Sequence, residues 1–194
     1  MSEFSREALK KIGAFISLSE KELLTFLAAF RPVYLRKGDY FLREGEVCKH
    51  LGLIVRGSMY CFFNRDGESI VEEFSLENDF ITDYPGFLSG IPSDKNIKCI
   101  EDVELMVISR DELQELYSKN PLHEKVGRLV AENLFAHWGQ KVKWLKTQDA
   151  ETRYLNLLRE RPGLVQRVPQ YLIASYLNIQ PETLSRIRKR ISET

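Results

Sequence analysis

The chain has 194 residues, 43% of them apolar and 29% charged, with a formal net charge of zero. That length holds one domain with a full core or two small ones, and the composition excludes a disordered, fibrous or membrane-spanning protein. The start, MSEFSREALKKIGAF, has early acids and no uninterrupted apolar stretch of the secretory kind, so a cytoplasmic protein is expected.

Ser19 to about Phe30 reads as a helix. Leu23, Leu24, Leu27 and Ala28 share one side, Ser19 and Glu22 form a capping box, and Arg31-Pro32 supplies the stop. From Val33 to about Ser109 the texture changes to short β-type runs such as LGLIVRG, SMYCFF, SIVEEFS and ELMVIS, punctuated by glycines. Asn64-Arg65-Asp66-Gly67 is a hairpin turn, with Asp-Gly between strand-formers. Short strands without intervening helices predict an antiparallel barrel, roll or sandwich. Cys48, Cys61 and Cys99 lie scattered without CxxC spacing, as small buried hydrophobes of a reducing compartment would.

Helical periodicity returns at Arg110. Ser109 caps a short helix through Leu116, and Pro121 opens a long one with a stripe of Leu122, Val126, Leu129, Val130, Leu134, Trp138, Val142 and Leu145. About 25 residues at 1.5 Å each give roughly 37 Å. A helix that long between a β unit and a terminal unit suits self-association, and Val126, Leu129, Val130, Leu134 and Trp138 are the expected homodimer contacts. The competing expectation is that the stripe packs on its own β unit. Asp149 to Arg161 reads as a further helix with Thr152, Leu155 and Leu158 inward, stopped by Pro162-Gly163. Three segments follow: a β unit over 1–120, a connecting helix over 121–147 and a terminal helical unit over 148–194.

The last stretch, Gln170 to Lys189, carries apolar residues at Ile173, Leu177, Ile179, Leu184 and Ile187, with Ala174 early and Asn178 between the halves. Spacing of three and four within each half predicts two short amphipathic helices. Asn tolerates the left-handed conformation that a tight turn needs. Pro181 opens the second helix without losing a hydrogen bond, and Glu182 faces its positive end. The result is a helix-turn-helix whose second helix fits a DNA major groove. Its outward positions carry Glu182, Thr183, Ser185 and Arg186, and Arg188, Lys189 and Arg190 form a basic cluster suited to phosphates. From Asp149 onward eight Arg/Lys stand against five Asp/Glu, giving +3 there and −3 elsewhere.

The segments KGDYFLREGE, LGLIVRGSM, NDFI and IQPETLSRIRKR, in that order, resemble the Crp–Fnr superfamily of bacterial transcription regulators. The compact length and the PETLSRIRK ending look like the short members found in the Bacteroidetes. The resemblance implies an α+β fold: an antiparallel β-roll like a cyclic-nucleotide-binding domain, a long dimerisation helix, and a helix-turn-helix lacking most of the usual wing. It also implies double-stranded DNA as partner, bound at a near-palindromic site by a homodimer. RNA polymerase and an unidentified small-molecule effector are further partners it allows. By position, Glu182 and Arg186 match base-contacting residues and Gln180 and Thr183 phosphate-contacting ones, whereas Pro181 falls where a base-contacting arginine is usual.

The sensor loop departs from the pattern. Nucleotide-binding members carry glycine-glutamate for the ribose and arginine-serine or arginine-threonine for the cyclic phosphate. Here Thr82-Asp83 and Ser93-Asp94 stand there, with Lys95 displaced. These five residues outline a degenerate effector pocket in which cyclic AMP is not expected. Residues 1–47 hold no cysteine for an iron–sulfur cluster, and His50, His123 and His137 are too dispersed for haem or a His-rich metal site, so no cofactor and no enzymatic activity are expected. The alternative is a regulatory protein that binds a cyclic nucleotide or another small ligand, without active sequence-specific DNA binding.

Overall fold

The computed structural model describes residues 19–192, so the reading of the first fifteen residues lies outside the described part. Helix α1, Glu20–Leu27, opens on the expected capping box. Ser19 Oγ accepts from the Glu22 amide at 3.3 Å, while the Glu22 carboxylate accepts from the Ser19 amide at 2.9 Å. Its inward face differs from the expectation. Leu23, Phe26 and Leu27 are buried, with Phe30 just beyond, whereas Leu24 and Ala28 are exposed. Packing on the roll selects the face with the larger apolar area, which the two phenylalanines supply. Arg31-Pro32 begins a strand rather than closing the helix.

Eight strands follow: β1 Arg31–Leu35, β2 Tyr40–Leu42, β3 His50–Arg56, β4 Met59–Arg65, β5 Glu68–Ser75, β6 Phe80–Ile81, β7 Asn96–Cys99 and β8 Val103–Ser109, with helix α2, Tyr84–Ser89, between β6 and β7. They form two antiparallel four-stranded sheets, ordered β1-β8-β3-β6 and β2-β7-β4-β5. Arg65 pairs with Glu68 across Asp66 and Gly67, whose φ values of 53° and 84° give the left-handed pair that an Asp-Gly hairpin uses. Gly57, at φ 98°, packs against Val103 Cα and the Asp102 carbonyl so closely that any Cβ would collide. The β4–β5 ladder shifts register between Cys61 and Phe62, which pair with Glu73 and Val71, so Glu72 is the extra residue of a β-bulge.

The helical part comprises α3 Arg110–Lys119, α4 Pro121–Thr147, α5 Ala150–Glu160, α6 Pro162–Arg167, α7 Gln170–Tyr176 and α8 Pro181–Ser192. A second capping box, Ser109 with Glu112, starts α3. Asn120 caps α4, which at 27 residues is about 40 Å long. Asp149 caps α5, whose buried residues include Tyr154 and Leu157, whereas Thr152 and Leu155 are exposed, so the inward face is rotated from the expected one. Pro162 does not leave a loop behind α5: it occupies the first position of α6.

Two hydrophobic clusters hold these elements. The first joins α1 and the roll interior to Leu113 of α3 and to Val126 and Val130 of α4. Val126 and Val130 are therefore spent on the protomer's own core, at 0% and 5% exposure, and are not available to a partner in this conformation. Leu129 and Leu134 pack partly against the same cluster. The second cluster joins Val71, Phe74 and Ile100 of the roll to buried residues of α5–α8, including Ile173, Leu177, Leu184 and Ile187. The terminal helices thus share a core with the outer face of the roll. All three cysteines are buried and free.

Candidate functional site

Within the roll, the five residues of the sensor loop do not form an open anion cradle. Lys95 Nζ lies 2.9 Å from both carboxylate oxygens of Glu72 and 3.8 Å from Asp83 Oδ1. All three side chains are largely buried, at 15%, 12% and 5% exposure. Burial disfavours the ammonium, but the hydrogen bonds to Glu72 and the charges of Glu72 and Asp83 outweigh it, and Lys95 titrates above the ordinary lysine range. The Cys61 thiol donates to Glu72 Oε2 at 3.3 Å, and burial followed by the Glu72 charge raises its pKa well above the usual thiol value. Gly86 of α2 lies so close to the Asp83 carboxylate that a Cβ there would strike Oδ2.

The remaining sensor residues have structural partners. Thr82 Oγ1 donates to the His50 carbonyl at 3.0 Å and meets Cys48 Sγ at 3.2 Å. Ser93 is buried and accepts from the Lys95 amide at 3.1 Å, while its backbone pairs with Gly45 and Glu46. Asp94 is exposed, outside the ion cluster. Of the five expected pocket residues the structure brings Lys95 and Asp83 together, and Glu72, the bulge residue of β5, joins them without a signal in the local sequence. Two carboxylates and one ammonium leave the cluster one negative charge in excess, a poor receptacle for a phosphate.

The terminal helices present the opposite picture. Asn178 adopts φ 54° between α7 and α8, as the turn requires, and its amide donates to the Ser175 carbonyl at 2.9 Å. Ile173, Leu177 and Leu184 are fully buried and Ile187 nearly so, fixing which side of α8 faces outward. On that side Glu182, Ser185, Arg186, Lys189 and Arg190 are exposed, and Thr183 and Arg188 are half-buried. Gln180, just before α8, is also exposed. Arg190 is partly committed within the chain, since its Nη1 donates to Glu151 at 2.6 Å. Arg186 makes no ion pair among the described residues.

A third group ties these parts together. Glu73, next to Glu72 on β5, receives Lys141 Nζ at 3.1 Å and His137 Nε2 at 3.2 Å from α4, with Arg161 at 4.0 Å. Burial alone would raise the Glu73 pKa, but the His137 hydrogen bond and the charges of Lys141 and Arg161 lower it to about 2. Arg161 also donates to the Phe74 carbonyl at 2.8 Å and approaches Asp79 at 3.4 Å. Arg167 of α6 forks onto Glu77 with two bonds of 2.8 Å and also bonds Glu101. Ser175 Oγ accepts from the Val71 amide at 2.9 Å and donates to the Ser69 carbonyl at 3.1 Å, pinning α7 to β5.

Comparison with known proteins places this geometry. Residues 32–120 match the family model of the cyclic nucleotide-binding domain. Cyclic nucleotide-gated channel alpha-2 of Oryctolagus cuniculus is 25% identical over 90% of this chain and 30% of its own length. The Mus musculus counterpart is 26% identical over 84% of this chain and 28% of its own length. The chain therefore spans less than a third of the curated relatives it matches. Among solved structures, FixK2 from Bradyrhizobium japonicum superposes with a TM-score of 0.71 at 19% identity, covering 84% of this chain and 85% of that one. The c-di-GMP responsive global regulator CLP of Xanthomonas campestris gives 0.66 at 18% identity, covering 90% and 92%. The catabolite activator protein of Thermus thermophilus gives 0.56 at 19%, covering 92% and 86%. Residues 32–120 thus resemble a cyclic nucleotide-binding domain, and the chain as a whole shares its fold with these three regulators.

Proposed function

We propose that the protein is a homodimeric DNA-binding transcription regulator of the Crp–Fnr type, whose roll works without a cyclic nucleotide. In this reading 1–120 is the sensor unit, 121–147 the dimerisation helix and 148–194 the DNA-reading unit. The observation that carries it is the outward face of α8, where Arg186 and its polar neighbours stand exposed and Arg186 makes no ion pair among the described residues. Arg and Glu address base edges in the major groove, while Thr183, Gln180, Arg188, Lys189 and Arg190 suit the backbone. The excess negative charge of the Glu72–Lys95–Asp83 cluster supports control without cyclic AMP. A salt-dependent gel shift of the full chain on genomic fragments tests the reading. Sequence preference above competitor DNA is expected, and Arg186→Ala should cost about 1–3 kcal/mol and relax specificity. No preference in either protein sinks it.

The dimer seam supported by the geometry lies further along α4 than the sequence suggests. Ala131, Phe135, Trp138, Val142 and Leu145 are spaced four, three, four and three apart, a heptad stripe. Phe135, Trp138 and Val142 are 82%, 41% and 44% exposed. Of the five expected contacts Trp138 stays in the proposed seam, and Leu129 and Leu134 flank it. Phe135→Glu should weaken dimerisation by at least about a hundredfold, since each 1.4 kcal/mol is tenfold. Sedimentation equilibrium that finds the variant as dimeric as the wild type removes this seam.

A further inference from the structure

We propose that the cleft between α4 and α5 binds a soluble phosphate ester, at a place separate from the roll interior and from the face of α8. The cleft encloses about 490 Å³. Its cations are Lys141, Lys143, Arg159 and Arg161, with His137 at one end, and Glu160 is the one carboxylate among the residues lining it. The Arg159–Glu160 pair is loose, 3.9 Å apart with both side chains about 70% exposed, so it holds Arg159 weakly. Lys143 makes no ion pair among the described residues.

The floor of the cleft holds Lys141 and Arg161, of which Arg161 is answered by Asp79 at 3.4 Å as well as by Glu73. Lys141 is 7% exposed at its side chain, and its carboxylate partner, Glu73, is shared with His137 and Arg161. Burial pulls the Lys141 pKa below the ordinary lysine value, a drop that Glu73 reduces without cancelling. A second anion beside Lys141 would offset the rest of that drop. Amide groups of Gln140, Gln148 and Asn156 line the same cleft; Asn156 donates to Gln148 Oε1 at 2.9 Å and accepts from Arg159 at 2.7 Å, so the Gln140 and Gln148 amide nitrogens are the neutral donors for a ligand. Cations with amides are the donor set that phosphate oxygens take. Trp144 and Tyr176 also line the space, whose volume exceeds what a bare phosphate fills, so the phosphate arrives on an organic scaffold. The two walls meet at Gln148, an extended residue at φ −110° and ψ 145° that links α4 to α5. A ligand touching both walls therefore fixes the angle between the long helix and the terminal helices.

This inference does not rest on DNA binding, and its test is read separately. Inorganic pyrophosphate and adenosine 5′-monophosphate are titrated into the full chain at constant ionic strength, with calorimetry and amide NMR as readouts. Saturable binding is expected, with shifts confined to the side-chain amides of Gln140, Gln148 and Asn156 and the Trp144 indole. The double variant Lys143→Gln/Arg159→Gln, both exposed positions, should weaken binding by at least about tenfold at an unchanged melting temperature. Binding that the double variant leaves intact overturns the proposal, as does the lack of any saturable response. If only duplex DNA shifts these signals, the cleft contacts the DNA backbone and the soluble-ligand assignment fails.

Discussion

Lys95 in the roll and Arg186 on α8 are both cations, yet their surroundings are opposite. Lys95 is enclosed by Glu72 and Asp83, and the ion cluster answers its own charge. Arg186 is exposed with no ion pair among the described residues. A buried cation whose partners come from the same chain serves folding, because removing any member strands the others in a medium that solvates them poorly. An exposed cation beside short polar groups costs the fold nothing to redirect outward. Charge is thus answered inside the roll and left open on the outward face of α8, the division that the proposed regulator would use.

Substitutions separate the two kinds of charge. Lys95→Met leaves Glu72 and Asp83 buried and unpaired, and should cost about 3–5 kcal/mol in urea unfolding. Adding Glu72→Gln and Asp83→Asn should recover most of that loss. If Lys95→Met alone is neutral, the cluster is not structural and the roll is open to an anion.

Glu73 gives the next largest effect. Its folded pKa is about 2 against the ordinary 4.5, so its contribution is fully present above about pH 4.5 and is lost as pH falls towards 2. Thermal unfolding at pH 7 and pH 3 should therefore show the wild type losing on the order of 2 kcal/mol more than Glu73→Gln. The smallest effect belongs to Arg188→Ala, which should leave stability within about 0.5 kcal/mol. It should weaken binding to every DNA sequence alike and reduce the salt slope by about one.

Local chemistry made much of the fold legible. The two capping boxes at Ser19 and Ser109, the Asp66-Gly67 hairpin, Asn178 in the left-handed turn and Pro181 at the head of α8 all follow from residues within four positions of one another. What failed depended on distant partners. Leu24 and Phe26 compete for the inward face of α1, and Leu155 and Tyr154 for that of α5; in each case the aromatic residue is the buried one. Pro162-Gly163 does stop α5, which ends at Glu160, but that the same proline opens α6 was not expected. The partners of Lys95 and Lys141, 23 and 68 positions away, were not legible because the fold alone brings them close.

The bulge in β5 has a consequence for how the molecule is wired. In a regular strand, neighbouring side chains point to opposite faces and each serves its own layer. Two consecutive carboxylates keep that alternation at the bulge, Glu72 reaching the ammonium inside the roll and Glu73 reaching α4 and the start of the terminal helices. One peptide group therefore lies between the roll interior and the junction of α4 with the terminal helices. A shift of the β5 backbone at that bond moves both attachments together, and neither end can be re-tuned without retuning the other.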